Sequence, residues 1–334
     1  MTRFPRQEVS LSKSHSFTCG RLNSMGKNVL VTGGYGFMGS HFVRFLSGQS
    51  DVSKITVLDN LSYSSNKSRL DDLAGDFHEV IADIRDSESV LDATRNMDVV
   101  INFAAETHND NSLLRPTDFI DTNILGTANL LEASRKNEFR FHQVSTDEVF
   151  GDLALDSDAS FSENSPTKPS SPYSASKAAA DGLVLAWYRS FGVLGSITNS
   201  ANNFGSGQHP EKLIPRTIEL IRSGSSPELY GTGANIRDWL FVEDHSRAVW
   251  LAANGPAGER YLVGADQLVS NLDLVKHINH CFGRDPDAIR FIPDRIGHDR
   301  KYSSDSQKIR SELAWKPQGP SVFAWLETLS SSML

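Results

Sequence analysis

Cysteine is nearly absent. Only Cys19 and Cys281 occur in 334 residues, too few for a disulfide framework and in keeping with a reducing compartment. Long apolar runs are lacking too, and none approaches the ~18 residues of a membrane-spanning helix. The chain has no excess of basic charge: 33 Lys and Arg stand against 41 Asp and Glu, a net charge of −8 with histidine neutral. Affinity for a phosphate backbone comes from many Lys and Arg contacts, so nucleic acid is excluded as the main partner. A local basic pocket for one diphosphate is still allowed. No internal repeat or low-complexity run is visible. What is plentiful is apolar residues, 39 % of the chain, enough for a large buried core. At ~150 residues per domain the length allows two domains or one large one. The composition describes a soluble, cytoplasmic-type globular protein, an enzyme or a binding protein.

Residues 1–25 read as a polar, Ser-rich, weakly basic tail with no apolar core for a secretory signal. A disordered extension, or a start placed upstream of Met25, is the expectation, with an organellar transit peptide as a further option. From residue 28 onward short apolar runs alternate with amphipathic stretches. The runs are 28–32 (NVLVT), 54–59 (KITVLD), 80–82, 98–105 (DVVINFAA) and 140–145 (RFHQVS), with helical spacing between them, as in 123–136. Buried strands alternating with helices predict an α/β fold, a doubly wound parallel (Rossmann) sheet. Beyond about residue 200 Gly, Pro and Asn become frequent. The reading is a dinucleotide-binding domain over 26–200, with a return segment near 236–255, and a smaller C-terminal α/β substrate-binding domain over 201–334.

Gly33, Gly36 and Gly39 lie in TGGYGFMGS, directly after the first strand and opening the first helix. Glycines permit the tight turn and let backbone approach a pyrophosphate at the positive helix N-terminus. Asp59 ends the second strand, 20 residues after Gly39. A carboxylate there accepts hydrogen bonds from ribose hydroxyls and repels a 2′-phosphate, which points to NAD rather than NADP. Asp83, ending the third run, is placed for the adenine edge.

Tyr173 and Lys177 form Y-x-x-x-K, and on a helix residues i and i+4 share a face. A nearby ammonium lowers a phenol's pKa, as a base for an alcohol proton requires. Thr146, Asp147 and Glu148 follow the fifth strand at the carboxyl edge, where doubly wound sheets place their sites. An acid and a base beside a hydride acceptor permit elimination of water after oxidation. A third cluster, His277, His280 and Cys281, has the spacing of an amphipathic helix rather than of converging metal ligands, so no metal is expected.

From about residue 28 to 325 these motifs, with NFAAETHNDNS, ANNFG, HPEKLIP, NIRDWLFVEDH and DRIGHDRKY, resemble the extended short-chain dehydrogenase/reductase superfamily. Within it the T-D-E triplet, P-E-K-L-I-P and R-D-W are similar to the nucleotide-sugar 4,6-dehydratase branch. The resemblance implies a nucleoside-diphosphate hexose substrate, dTDP-glucose foremost. It implies that Tyr173 takes the 4-hydroxyl proton while Thr146 bonds that oxygen, that Glu148 removes the C5 proton, and that Asp147 protonates the departing C6 hydroxyl. It assigns Phe37, Met38, Ile84 and Ala104 to the cofactor with the residues above. To the substrate it assigns Glu106, Asn202, Lys212, Leu213, Arg237, Asn271, Arg295 and His298. A homodimer joined by a four-helix bundle, from helices near 116–136 and 173–191, is implied as well. The chain departs from the branch at Asn109 (usually apolar), Asn111 (usually Arg), Phe150 and Phe204 (usually Tyr) and Ser64-Ser65. Other readings are a dehydratase, epimerase or decarboxylase of another nucleotide sugar, or a non-catalytic dinucleotide-binding protein.

Overall fold

The computed structural model describes residues 26–332; the tail read over 1–25 lies outside the described residues. In chain order the strands are β1 (Lys27–Thr32), β2 (Val52–Asp59), β3 (His78–Ile81), β4 (Val99–Asn102), β5 (Arg140–Thr146) and β6 (Gly195–Ser200). They continue as β7 (Asn202–Phe204), β8 (Glu228–Tyr230), β9 (Ile236–Phe241), β10 (Arg260–Val263), β11 (Leu268–Ser270) and β12 (Arg290–Ile292). Seven of them form one sheet in the order β10-β6-β5-β4-β1-β2-β3, and every pairing in it is parallel.

Alternation along β1 shows why its centre, residues 29–31, is apolar on both faces. Val29 and Val31 pack on one face with Phe42, Val43 and Leu46 of the helix Phe37–Ser47 and with Val249 and Trp250. Leu30 points to the other face, among Val100, Leu130, Leu131, Phe141 and Val184. Both faces are covered by helices, so no position can be polar for solvent's sake. Successive strands depart to opposite sides of β1, toward β2 and toward β4. That reversal opens a crevice beyond the carboxyl ends. At its floor Thr32 donates to Asn102 (2.6 Å) and Asn102 to Gln143 (2.9 Å), a buried polar row tying β1, β4 and β5 together.

The C-terminal segments build a three-stranded sheet, β11-β9-β7, and a two-stranded one, β12-β8. Here the expected return of 236–255 to the large sheet takes a different form. Residues Ile236–Phe241 join the small sheet as β9, because buried Asp238 accepts the backbone N–H of Gln267 (2.8 Å) and Asp266 (3.3 Å) and pins β9 to the lead-in of β11. The following helix, Val242–Asn254, covers the large sheet, and the strand that re-enters it is Arg260–Val263. Two further boundaries move. The run 98–105 stays a strand only over Val99–Asn102, leaving 103–107 without regular structure at the crevice. The helix read from 123 is preceded by a π-helical turn, Ile120–Leu125, before Gly126–Asn137. No helix among the described residues is long and apolar enough to cross a membrane.

Candidate active site

A cleft of about 280 Å³ runs along the carboxyl ends of the large sheet. The Gly-rich turn forms one end. Gly33 has φ +66°, and a Cβ there would stand 2.8 Å from the Ala104 nitrogen; at Gly39 it would stand 2.2 Å from the Gly33 oxygen. Only glycine lets strand, turn and helix close this tightly, and the backbone of Gly36 is left facing the cleft. Phe37 and Met38 continue the wall as the helix begins.

Asp59 sits where β2 ends. It is almost wholly buried, accepting from Tyr35 N (3.0 Å), Leu61 N (2.8 Å) and Ser65 Oγ (2.6 Å). Three donors fix this carboxyl at the cleft edge, where a ribose hydroxyl can still donate to it. Asp83 also lines the cleft, and its hydrogen bonds to Arg85 pull its pKa down to about 2. Ile84 and Ala104 complete that side. A glycine cradle that a Cβ would fill, followed by a buried carboxylate, fits a dinucleotide without a 2′-phosphate.

The chemical end is built on β5 and the helix Pro172–Phe191. Ser171 caps that helix by accepting from Ser174 N (3.1 Å), Pro172 occupies its first turn, and Tyr173 and Lys177 therefore lie on consecutive turns of one face. Lys177 Nζ donates to Val144 O (2.6 Å), and burial lowers its pKa to about 8. The expectation that this ammonium lowers the Tyr173 pKa fails in the protein alone. Burial, then the neighbouring Glu148 and Asp147, push the phenol well above 10, opposed by a hydrogen bond with Thr146. The reason is positional: Lys177 is turned to the strand carbonyl, and Tyr173 stands beside the acid pair.

Asp147 is buried, and burial, then the neighbouring Glu148 and Asp238, raise its pKa well above the ordinary 3.8. Its Oδ2 is a buried acceptor with no partner among the described residues. Glu148, one residue on, is half-buried, lines the cleft, and accepts from Asn109 Nδ2 (3.1 Å).

On the substrate side the structure brings some assigned residues together and not others. Glu106, Asn202 and Lys212 line the main cleft. The backbone of Glu106 is clamped by Asn123, which accepts from its N–H (2.9 Å) and donates to its carbonyl (3.0 Å) from the π-helical turn. Arg295 and His298 line a second, smaller cleft that shares Glu148 with the first. Leu213, Arg237 and Asn271 line neither. Leu213 packs into the C-terminal core. Buried Arg237 lies over the Tyr302 ring (4.3 Å) and donates to the carbonyls of Ile236 and Asp299 (2.8 Å each). Asn271 opens a helix, its N–H bound to Asn235 O. His277, His280 and Cys281 lie in the helix Asn271–Cys281, with the His277 ring 4.5 Å from Phe323.

Arg69, His209 and Glu211 were not singled out in the sequence. Arg69 donates to Tyr35 O (2.6 Å) and Ser64 O (3.0 Å) beneath the cleft. Glu211 lies 3.2 Å from His108 and 3.4 Å from His209. Arg69 carries no motif. Glu211 belongs to the P-E-K stretch, but its pairing with histidines from two loops has no local signature.

A parallel doubly wound sheet, a glycine cradle, a buried carboxylate after β2 and a Tyr–Lys pair facing an acid pair define an NAD-dependent enzyme of the extended short-chain dehydrogenase/reductase class. The chain belongs to the GDP-mannose 4,6 dehydratase family, whose model matches residues 30–320. It is 47 % identical to the dTDP-glucose 4,6-dehydratase of Mycolicibacterium smegmatis over 87 % of this chain and 88 % of that protein. The solved dTDP-glucose 4,6-dehydratase DesIV of Streptomyces venezuelae, with NAD bound, superposes with TM-score 0.86 at 38 % identity, covering 91 % of this chain and 96 % of that one. The UDP-glucose 4-epimerase of Thermotoga maritima shares the fold at 26 % identity and TM-score 0.84, over 92 % of this chain and 98 % of that one.

Proposed function

We propose that this protein dehydrates dTDP-glucose to dTDP-4-keto-6-deoxyglucose, using NAD that remains bound between turnovers. When bound, NAD supplies a hydride acceptor for C4, a hydride donor for C6, and a positive charge that favours the Tyr173 phenolate. Lys177 and Asp59 orient it, with the glycine turn receiving its diphosphate.

The protein's own groups move the protons. Tyr173 takes the proton of the 4-hydroxyl, and Thr146 hydrogen-bonds the same oxygen. The 4-ketone acidifies C5–H, and Glu148 takes that proton. Asp147 gives its proton to the C6 hydroxyl, which leaves as water, and Glu148 returns a proton to C5 at the end. The observation that carries this reading is the unequal pair in the turn after β5: Asp147 is buried, with a raised pKa that suits it to donate a proton, while Glu148 opens to the cleft. Epimerisation needs no such acid, which disfavours the 4-epimerase reading despite the shared fold.

Arg295 and His298 in the adjoining cleft suit the nucleotide diphosphate, with Lys212 toward the base. Arg237 acts from behind them, its charge favouring an ionised Asp147 against the burial that dominates. The smaller C-terminal sheets form the substrate-binding part. Association into a homodimer is supported by exposed Ile120, Leu125, Tyr188 and Phe191 on the helical segments that a four-helix bundle would use. The scarcity of cysteine supports a cytoplasmic setting.

The test is direct. Purified protein incubated with dTDP-glucose, with no added NAD, should yield a product lighter by one water. An unchanged substrate mass from protein that carries NAD defeats the assignment.

A further inference from the structure

Asn109 is the first residue of the short helix Asn109–Leu114, on the crevice side of Glu148. Its amide is engaged at both ends. Nδ2 donates to Glu148 Oε2 (3.1 Å), and Oδ1 accepts from Ser171 Oγ (3.0 Å). Ser171 is the residue that caps the helix carrying Tyr173, accepting from Ser174 N (3.1 Å). One chain of hydrogen bonds thus runs from the N-terminus of that helix, through Asn109, to the carboxylate of Glu148. An amide nitrogen can only donate, so the bond fixes which carboxyl oxygen is occupied. Oε1 is then the oxygen left to meet a C–H bond.

We propose that Asn109 is a positioning residue for Glu148, orienting its carboxylate for removal of the C5 proton and tying it to the helix that carries Tyr173. The inference rests on the dehydratase reading above. Among the described residues no other side chain hydrogen-bonds the Glu148 carboxyl, although several charged and polar groups surround it. Asp147 precedes it, Tyr173 and Tyr302 face it, and Asp110, Arg295 and His298 line the neighbouring cleft.

The experiment compares wild type, Asn109→Leu and Asn109→Asp with dTDP-glucose and its 5-deuterated form. Asn109→Leu keeps the number of side-chain heavy atoms and removes the donor; Asn109→Asp keeps the shape and sets an oxygen against Glu148. For Asn109→Leu, kcat should fall roughly tenfold with KM little changed, the cost of one lost hydrogen bond to a charged group. The deuterium isotope effect on kcat should rise, because C5–H cleavage has become the slower step. Asn109→Asp should lose more, and its rate should recover only at higher pH. A lower rate with an unchanged isotope effect in both variants would mean that Asn109 serves packing alone, and overturns the inference. So does wild-type behaviour in both. If Asn109→Leu does not fold, the near-isosteric Asn109→Asp decides between the same outcomes. Wild type that leaves dTDP-glucose intact overturns the dehydratase reading itself, a result distinct from either.

Discussion

Asp147 and Glu148 are consecutive in the chain, yet one is buried, its Oδ2 without a partner among the described residues, while the other faces the cleft under the Asn109 amide. Strand β5 ends at Thr146, and a single 3-10 turn, Asp147–Phe150, begins there with the Thr146 hydroxyl accepting from Glu148 N (3.2 Å). The turn sends the two carboxyls to different surroundings. Burial raises the Asp147 pKa, and adjacency to Glu148 adds to that effect.

Asp147→Asn should therefore remove the acid while leaving the shape. The dehydration rate is expected to fall about 10²- to 10⁴-fold, the usual range for one positioned acid. NAD content after purification should not change. Because a buried carboxyl is replaced by a neutral amide, stability should rise or stay level at pH 7, as read by thermal melting.

Glu148→Gln should abolish exchange of the C5 proton with solvent deuterium while C4 oxidation continues. Reduced cofactor should then accumulate on the enzyme, visible as near-ultraviolet absorbance on mixing with substrate. Exchange at the wild-type rate would remove Glu148 from the role of base.

Gly39→Ala tests the cradle. An added Cβ would meet the Gly33 oxygen at 2.2 Å, a backbone atom that cannot move without opening the turn. The variant should lose copurifying NAD and melt at a lower temperature. Gly75→Ala is a control for steric contact only, since a Cβ there meets nothing within 4 Å, although its φ of +99° adds a local backbone strain.

Asp59→Asn should weaken both cofactor retention and the loop that follows β2. Tyr35 N, Leu61 N and Ser65 Oγ all donate to this side chain, and an amide turns one acceptor into a donor facing them. Loss of about 1–3 kcal/mol is expected. Added NAD should recover only part of the activity.

His245 gives a pH-dependent prediction. It is buried, both ring nitrogens lack partners among the described residues, and burial lowers its pKa from 6.5 to about 3. The unfolded chain therefore binds a proton between pH 6.5 and 3 that the folded state refuses. The stability that the neutral ring allows is present above pH 6.5 and lost as pH falls toward 3. Buried carboxyls with raised pKa values, such as Asp238 at about 6, act in the opposite direction, so the comparison must be with wild type. His245→Leu should be near neutral at pH 7. Relative to wild type it should gain ~1.4 kcal/mol per pH unit on acidification below 6.5. Parallel melting curves at every pH would contradict this.

The cofactor half of the protein was legible because its determinants are local. A glycine turn, a carboxylate at a strand end and a Tyr–Lys pair one helical turn apart depend on backbone geometry over a few residues, and hydrophobic runs alone announced a sheet covered on both faces. The substrate half was less legible. Arg237 reads as a phosphate ligand by motif, yet its guanidinium is held by backbone carbonyls over Tyr302. The direction of the Tyr173 shift also escaped, since it depends on which charges the folded chain leaves beside the phenol. Sequence by itself determined the α/β class and the NAD-type cofactor, and it offered candidates for the groups that move protons. Tertiary structure alone decided their burial and aim. Burial of Asp147 requires the packing of β5 against segments from the C-terminal half, and the bond between Asn109 and Glu148 joins residues 39 apart, continuing to Ser171, 62 residues beyond Asn109. Desolvation and long-range hydrogen bonds exist only once the chain has folded.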